Sequence, residues 1–578
     1  MNKQPSDEAE SGQNESDTSA DVNDKKSESP QPEEKKETAK RIYPSATWIV
    51  AWIVMIGSIV FLHYAAAQIE DRVPFIDQAI RNALTFLAML GIPFTFFLWF
   101  SFFSDNANRM IRQVLFWGYV CLEVAVVFVL VNFVEFDGDL VPIGWKSETA
   151  IETKIVEGTV DLKTQTPDDF PQYLGPTRDA RLPKTYLAYD WEKEKPKLLW
   201  KQPIGQGHSA FATRNGFAVT MEQRGDQEMT TCYDISSGDL KWTYGVQTRH
   251  TTMLGKLGPR STPTIYDGLV YTLGAHGHLA CLEGSTGKPV WTKDLLEEFG
   301  TSVEKEKNAV KWGRSGSPLV FDDKIIVPAG GPPGGPYVSL VCYNRKTGAE
   351  IWRGGDTQIG YSSPILMQYP NNRGFALSVV SVNESNVTAH DVSDGEVIWK
   401  HDRPGNSTAD ANTSQPVVLP GTNVLLTKGY GLGSERLQFQ GGQLLSLWKN
   451  TAVLKTKFTN AVFHNAYAFA LSDGRLECID LRNGKRIWKS RKSYGHGQIL
   501  LCGSELLVLS EKGYVCLVRA WGSTEEQSAS RKHVQFTSFK ALDGTSWNTI
   551  AMHGNKLLVR NSKQAACYEM PLRYTKSE

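Results

Sequence analysis

An eleven-residue phrase recurs along the chain: CYDISSGDLKW (232–242), CLEGSTGKPVW (281–291), CYNRKTGAEIW (342–352), AHDVSDGEVIW (389–399) and CIDLRNGKRIW (478–488). A small residue always stands ten positions before a tryptophan, with a glycine turn between them. Each copy reads as a short strand, a tight turn and a second strand. A weaker copy, LQFQGGQLLSLW, ends at Trp448, and truncated ones begin at Cys516 and Cys567. Self-similarity at this interval constrains the fold more than any other feature, because one such unit cannot bury its own apolar face.

Upstream of each phrase lies another strand pair, as in PTIYDGLVYTLGAHGHLACLE, which makes four strands per unit. Units of about forty to sixty residues match propeller blades. Eight units have a third strand, yet the last ends near Pro571, while a spare Leu198-Leu199-Trp200 precedes the first. Pairing that strand with the last unit would close the ring and remove an exposed sheet edge. The expected fold is an all-β, eight-bladed propeller over 191–572, with a seam between 195–201 and 565–572.

The phrase resembles the tryptophan-docking motif of the pyrroloquinoline-quinone (PQQ) repeat propellers, closest to the membrane-anchored kind common in planctomycetes. The resemblance spans about 165–572 and includes the opening DFPQYLGPTRDARLP (169–183). It implies that Trp242, Trp291, Trp352, Trp399 and Trp488 pack on neighbouring turns. The turn glycines are Gly238, Gly287, Gly348, Gly395 and Gly484, and the small first residues are Cys232, Cys281, Cys342, Ala389 and Cys478. The fifth copy departs from the pattern, with Leu444 where glycine belongs.

Before the repeats the composition changes twice. Residues 1–41 hold two strongly apolar residues, Met1 and Val22, and no aromatic, which reads as a disordered tail. Residues 42–135 contain three apolar runs, about 47–67, 83–103 and 112–134, expected to form a transmembrane anchor. Lys35, Lys36, Lys40 and Arg41 precede the first run, Arg109 and Arg112 fill the second loop, and Glu135, Asp137 and Asp139 follow the third. That asymmetry places the tail in the cytoplasm and the propeller outside it, in a bacterium at the inner membrane with the propeller periplasmic. Residues 136–190 are the linker and lead-in.

Sixty-two basic and sixty-two acidic residues leave no net charge, which argues against a nucleic-acid partner. Six of the eight cysteines occupy one position in different blades, too far apart to bridge, since a disulfide needs Cα atoms within about 7 Å. They read as small packing residues. No CxxC, HExxH, Walker A, GxSxG or dinucleotide fingerprint occurs, and the prolines of GGPPGGP (330–336) make it a loop rather than a phosphate cradle. His276-Gly277-His278 decorates a turn.

A second set of phrases precedes each blade's first strand, among them GQGHSAF, GPRSTP and GRSGSP. First strands line a propeller's channel, so His208, Arg260, Arg314, Tyr361, Asn412, Phe458, His496 and Trp547 should ring one mouth as candidate ligand contacts. Against that stands a mouth whose side chains pack on each other. No catalytic residue and no metal site is assigned. The family resemblance implies two functions. One is a non-enzymatic scaffold binding proteins at the blade-end loops. The other is a PQQ- and Ca²⁺-dependent sugar or alcohol dehydrogenase passing electrons to quinone, with Trp547 stacking on the cofactor and Arg260 or Arg314 pairing its carboxylates.

Overall fold

A computed structural model describes residues 43–62, 78–136, 140–145, 151, 153–252, 255–371, 374–408, 410–520 and 532–573. The expected tail lies outside them, as do Asp137, Asp139 and the end of the first apolar run. Three helices come first: α1 (Ala46–Val60), α2 (Gln78–Phe103) and α3 (Arg109–Phe133). α2 and α3 are long and apolar enough to cross a bilayer, whereas the described part of α1 is shorter. Their apolar side chains, Leu87, Val114 and Leu122 among them, lie mostly on the surface. Trp52 of α1 donates to Thr95 of α2 at 3.1 Å.

Eight antiparallel sheets follow, and they form an eight-bladed β-propeller. Blades 1 to 7 span 212–247, 264–294, 319–354, 365–402, 417–450, 462–493 and 498–540. Blade 8 takes three strands from 551–569 and its outer strand, Lys197–Pro203, from the start of the propeller. That seam puts Cys567 opposite Trp200. The same pairing recurs as Cys232–Trp242, Cys281–Trp291, Cys342–Trp352, Ala389–Trp399 and Cys478–Trp488. One residue beyond each pair the register slips by a β-bulge, which twists the outer strand. A small residue opposite each tryptophan leaves room for the indole to reach the next blade.

Trp200, Trp242, Trp291, Trp352 and Trp448 each lie against a turn glycine of the following blade, Gly238, Gly287, Gly348, Gly395 and Gly484 in order. Their indole nitrogens donate to Ile235, Gly284, Arg345, Val392 and Leu481 carbonyls at 2.7–3.0 Å. Trp399 and Trp488 are the exceptions, and the indole nitrogen of each is buried without a hydrogen-bond partner among the described residues. The blade after Trp399 turns on Gly441-Gly442 instead, so Leu444 sits within the outer strand. Trp488 instead packs edge-on against His533. All eight cysteines are free, and all but Cys121 are buried.

The lead-in is more than a linker. Residues 168–182 run across the inner strands. Phe170 bridges to Thr213 of blade 1, Pro171 accepts from Ile265 of blade 2, and Arg178 donates to Ser317 and Pro318 of blade 3. Asn460 of blade 6 donates to Tyr173, and Gly554 of blade 8 to Asp168. Arg181–Leu182 adds a parallel fifth strand to blade 7. Gly554 lies in the turn that ends an inner strand, whereas Ser317, Pro318 and Asn460 stand just before inner strands, so the side chains of the lead-in reach along the channel.

A methyl group at Gly287 would stand 2.5 Å from Trp242, while one at Gly544 would meet nothing. Both glycines have left-handed backbone, φ +72° and +80°, so any side chain brings the same strain to each. Gly287→Ala is therefore expected to cost roughly 1–3 kcal/mol more than Gly544→Ala in denaturant unfolding. Equal losses would show that the indole contact contributes nothing.

Candidate functional site

One mouth of the channel is built from residues just before each first strand and from the turns joining second to third strands, which emerge at the same end. One half of it is aromatic. Trp547 packs against Phe458 with ring centroids 5.1 Å apart and against His208 at 5.5 Å, and Phe458 packs on His496 at 5.4 Å. The Trp547 indole donates to Glu511 at 2.7 Å, and the other oxygen of that carboxylate accepts from the His496 amide at 3.1 Å. Lys256 holds its ammonium 4.3 Å from the Trp547 ring centroid, a cation–π contact. Burial, with Arg260 and Lys256 nearby, holds the His208 imidazole well below its ordinary range, so it is neutral.

The other expected residues are engaged elsewhere. Arg260 donates to the carbonyls of Gly258 and Gly255 and pins its own loop. Arg314, 1% exposed, pairs with Glu306 at 2.7 Å and donates to Ala329 O. Glu306 belongs to a helical insertion, Val303–Ala309, between blades 2 and 3. Tyr361 stacks on Trp312 and donates to Ser407 O at 2.7 Å. Asn412 donates to three carbonyls, those of Asn383, Glu384 and Arg403. The structure thus brings together His208, Phe458, His496 and Trp547, while Arg314, Tyr361 and Asn412 tie insertions to the ring. Buried oxygens of Ser261, Asn412, Gln415, Thr459 and Asn548 have no partner among the described residues.

Lys256 and Glu511 were not singled out in the sequence. Glu511-Lys512-Gly513 is a turn between second and third strands, and the same blade alignment that located the first-strand starts would have reached it. Lys256 lies on a short hairpin, Thr251–Thr252 against Lys256–Leu257, that belongs to no repeat.

Residues 231–490 match the family model described as outer membrane protein assembly factor BamB. That match, with the eight four-stranded blades and their repeated Cys–Trp register, supports a PQQ-like propeller family. Among solved structures, BamB from Moraxella catarrhalis is 12% identical, with 65% of this chain and all of that chain covered and a TM-score of 0.46. A europium-containing methanol dehydrogenase is 12% identical, covering 69% and 89%, at 0.49. The quinohemoprotein alcohol dehydrogenase of Comamonas testosteroni is 14% identical, covering 72% and 82%, at 0.40. A search of curated proteins found no match.

PQQ-family chemistry needs an aromatic face, cations for the quinone's carboxylates and several oxygens converging on a metal ion. The mouth of this PQQ-like propeller does not fit that group. The rings and cation of Phe458, His208 and Lys256 crowd Trp547, and both candidate arginines are committed to protein acceptors. Glu511 brings one carboxylate, already bonded on both oxygens, and the described residues form no cluster of three or more His, Cys, Asp or Glu side chains fit for a metal. His276 hydrogen-bonds His250 at 3.0 Å and Thr248 at 2.8 Å, while His278 bonds Tyr244, so the His-Gly-His pair points to two different neighbours.

Beside that histidine pair, Glu228 of blade 1 is buried and accepts from the Ala275 amide at 3.1 Å. Burial pushes its carboxyl from 4.5 up to about 7. The folded protein therefore holds a proton that the unfolded chain releases, and this group's contribution falls as pH rises from 4.5 to 7, then levels. Neutral His208 and His250 act in the opposite sense, losing stability as pH drops below 6.5. Glu228→Gln isolates the carboxyl: relative to wild type it should gain about 3 kcal/mol in denaturant unfolding on moving from pH 4.5 to pH 8. An unchanged difference would show that Glu228 is ionised in the fold.

Proposed function

We propose that this chain is a membrane-anchored, extracytoplasmic PQQ-like propeller that acts as a non-enzymatic interaction scaffold. In this reading residues 1–41 are a cytoplasmic tail, the helices within 42–135 cross the inner membrane of a bacterium, and partners bind the blade-end loops. The length and apolar surface of α2 and α3, with basic residues before the first run and in the second loop, support the anchor. The name carried by the matching family model, an assembly factor for outer membrane proteins, supports a role in protein interaction.

One observation carries the choice between scaffold and enzyme. At the mouth, Arg260, Arg314 and Glu511 all bond groups of the protein itself, so the polar groups a cofactor would recruit are occupied in holding loops. The lead-in bonds inner-strand residues of several blades across the channel. What remains outward-facing is the rim of loops, the kind of surface on which a rigid scaffold carries binding residues.

Purified protein incubated with PQQ and Ca²⁺ should show no stoichiometric binding and no dye reduction with a panel of sugars and alcohols. Trp547→Ala should leave any cellular phenotype of the gene intact. Saturable PQQ binding with turnover, abolished by Trp547→Ala, would replace the scaffold with the dehydrogenase reading.

A further inference from the structure

Between the helices and the mouth lies a cavity of about 700 Å³. Its two walls differ in chemistry. Phe86 and Leu90 of α2 and Leu130 of α3 form an apolar wall, and Arg249, Lys256 and Lys563 of the propeller form a cationic one. Glu135, just past the end of α3, sits between them, 3.1 Å from the Lys256 ammonium and 3.0 Å from that of Lys563. Among the described lining residues Glu135 is thus the one carboxylate beside three cations, with Glu511 acting on Lys256 from the side of the mouth. Arg249 stands farther off, 3.7 Å from Asp226, and is roughly balanced there.

We propose that this cavity binds an acidic phospholipid of the leaflet facing the propeller, with an acyl chain along the α2–α3 wall and the phosphate against Lys256 and Lys563. The proposal rests on the reading of α2 and α3 as membrane-spanning, which sets the cavity at the boundary between hydrocarbon and water. A neutral apolar molecule would satisfy the helix wall but leave Lys256 and Lys563 sharing one lining carboxylate in a half-buried place. A free anion would satisfy the lysines but leave the apolar wall wet. An anionic amphiphile meets both, and basic pockets beside membrane helices recognise lipid headgroups in this way. Burial lowers the Lys256 ammonium's pKa despite Glu135 and Glu511, so an added anion there would find a cation whose desolvation is only partly offset. Because Lys256 also covers Trp547, lipid binding would reach the aromatic half of the mouth.

The full chain, purified in a non-ionic detergent, would be offered equal amounts of phosphatidylglycerol and phosphatidylcholine with identical acyl chains. Retained lipid would be read by native mass spectrometry. Wild type should keep phosphatidylglycerol in preference. Lys563→Gln leaves the Lys256–Glu135 pair intact but removes one of the three lining cations, and should cut phosphatidylglycerol retention roughly tenfold without changing phosphatidylcholine. Leu87→Trp, which fills the apolar side, should reduce both lipids. Lys346→Gln, on an exposed turn, should change neither. Equal retention of the two lipids by wild type, or a Lys563→Gln variant that behaves as wild type, would overturn the proposal. A full chain that is soluble and monodisperse without detergent would instead overturn the membrane-spanning reading on which it rests.

Discussion

The ring depends on an indole placed against the next blade's turn. Trp242 shows the elements together. Cys232 stands opposite it and leaves room, a bulge beyond that pair twists the strand outward, Gly287 lets the ring approach, and the Gly284 carbonyl takes the indole proton. A buried indole needs that acceptor, and a glycine turn supplies both the space and the exposed carbonyl. Where the turn is rebuilt, as at Gly441-Gly442, the contact fails on one side only: Trp399 loses its acceptor, yet Trp448 of the rebuilt blade still reaches Leu481. The peg and the socket are separate features of a blade.

The same economy governs the middle of the molecule. An eight-bladed ring leaves a channel too wide for its own inner strands to fill, and the lead-in bonds several blades across it. Arg178 is fully buried there without a carboxylate, its charge met by the carbonyls of Ser317 and Pro318 and the amide of Gln172. Desolvation lowers its pKa to about 10, which leaves it charged at neutral pH. At the mouth, aromatic packing and the Glu511 bonds perform the corresponding task, and Lys256 links that mouth to Glu135 after the helices.

Much of the fold was legible because the repeat carries its own register. The constant spacing from Cys281 to Trp291 marks the third and fourth strands, and the spare Leu198-Leu199-Trp200 points to the seam. The lead-in was not legible, since DFPQYLGPTRDARLP has no periodicity and its partners are backbone groups distant in sequence. The mouth was legible in position but not in direction. Blade alignment located Arg314 at a first-strand start, but nothing in GRSGSP shows that its guanidinium turns to Glu306, because the Val303–Ala309 insertion exists in one blade alone. Glu511 and Lys256 stood outside the phrases that were aligned, although Glu511 occupies a turn at the same end.

The central claim is that lead-in, seam and blades form one closed unit. Hydrogen exchange read by mass spectrometry at rising denaturant tests it most directly. The account predicts that peptides covering 168–182, 197–203 and 564–569 keep their protection until the inner strands of the blades lose theirs, and then exchange with them. Early, independent exchange of 197–203 or 168–182, with the other blades still protected, would contradict it.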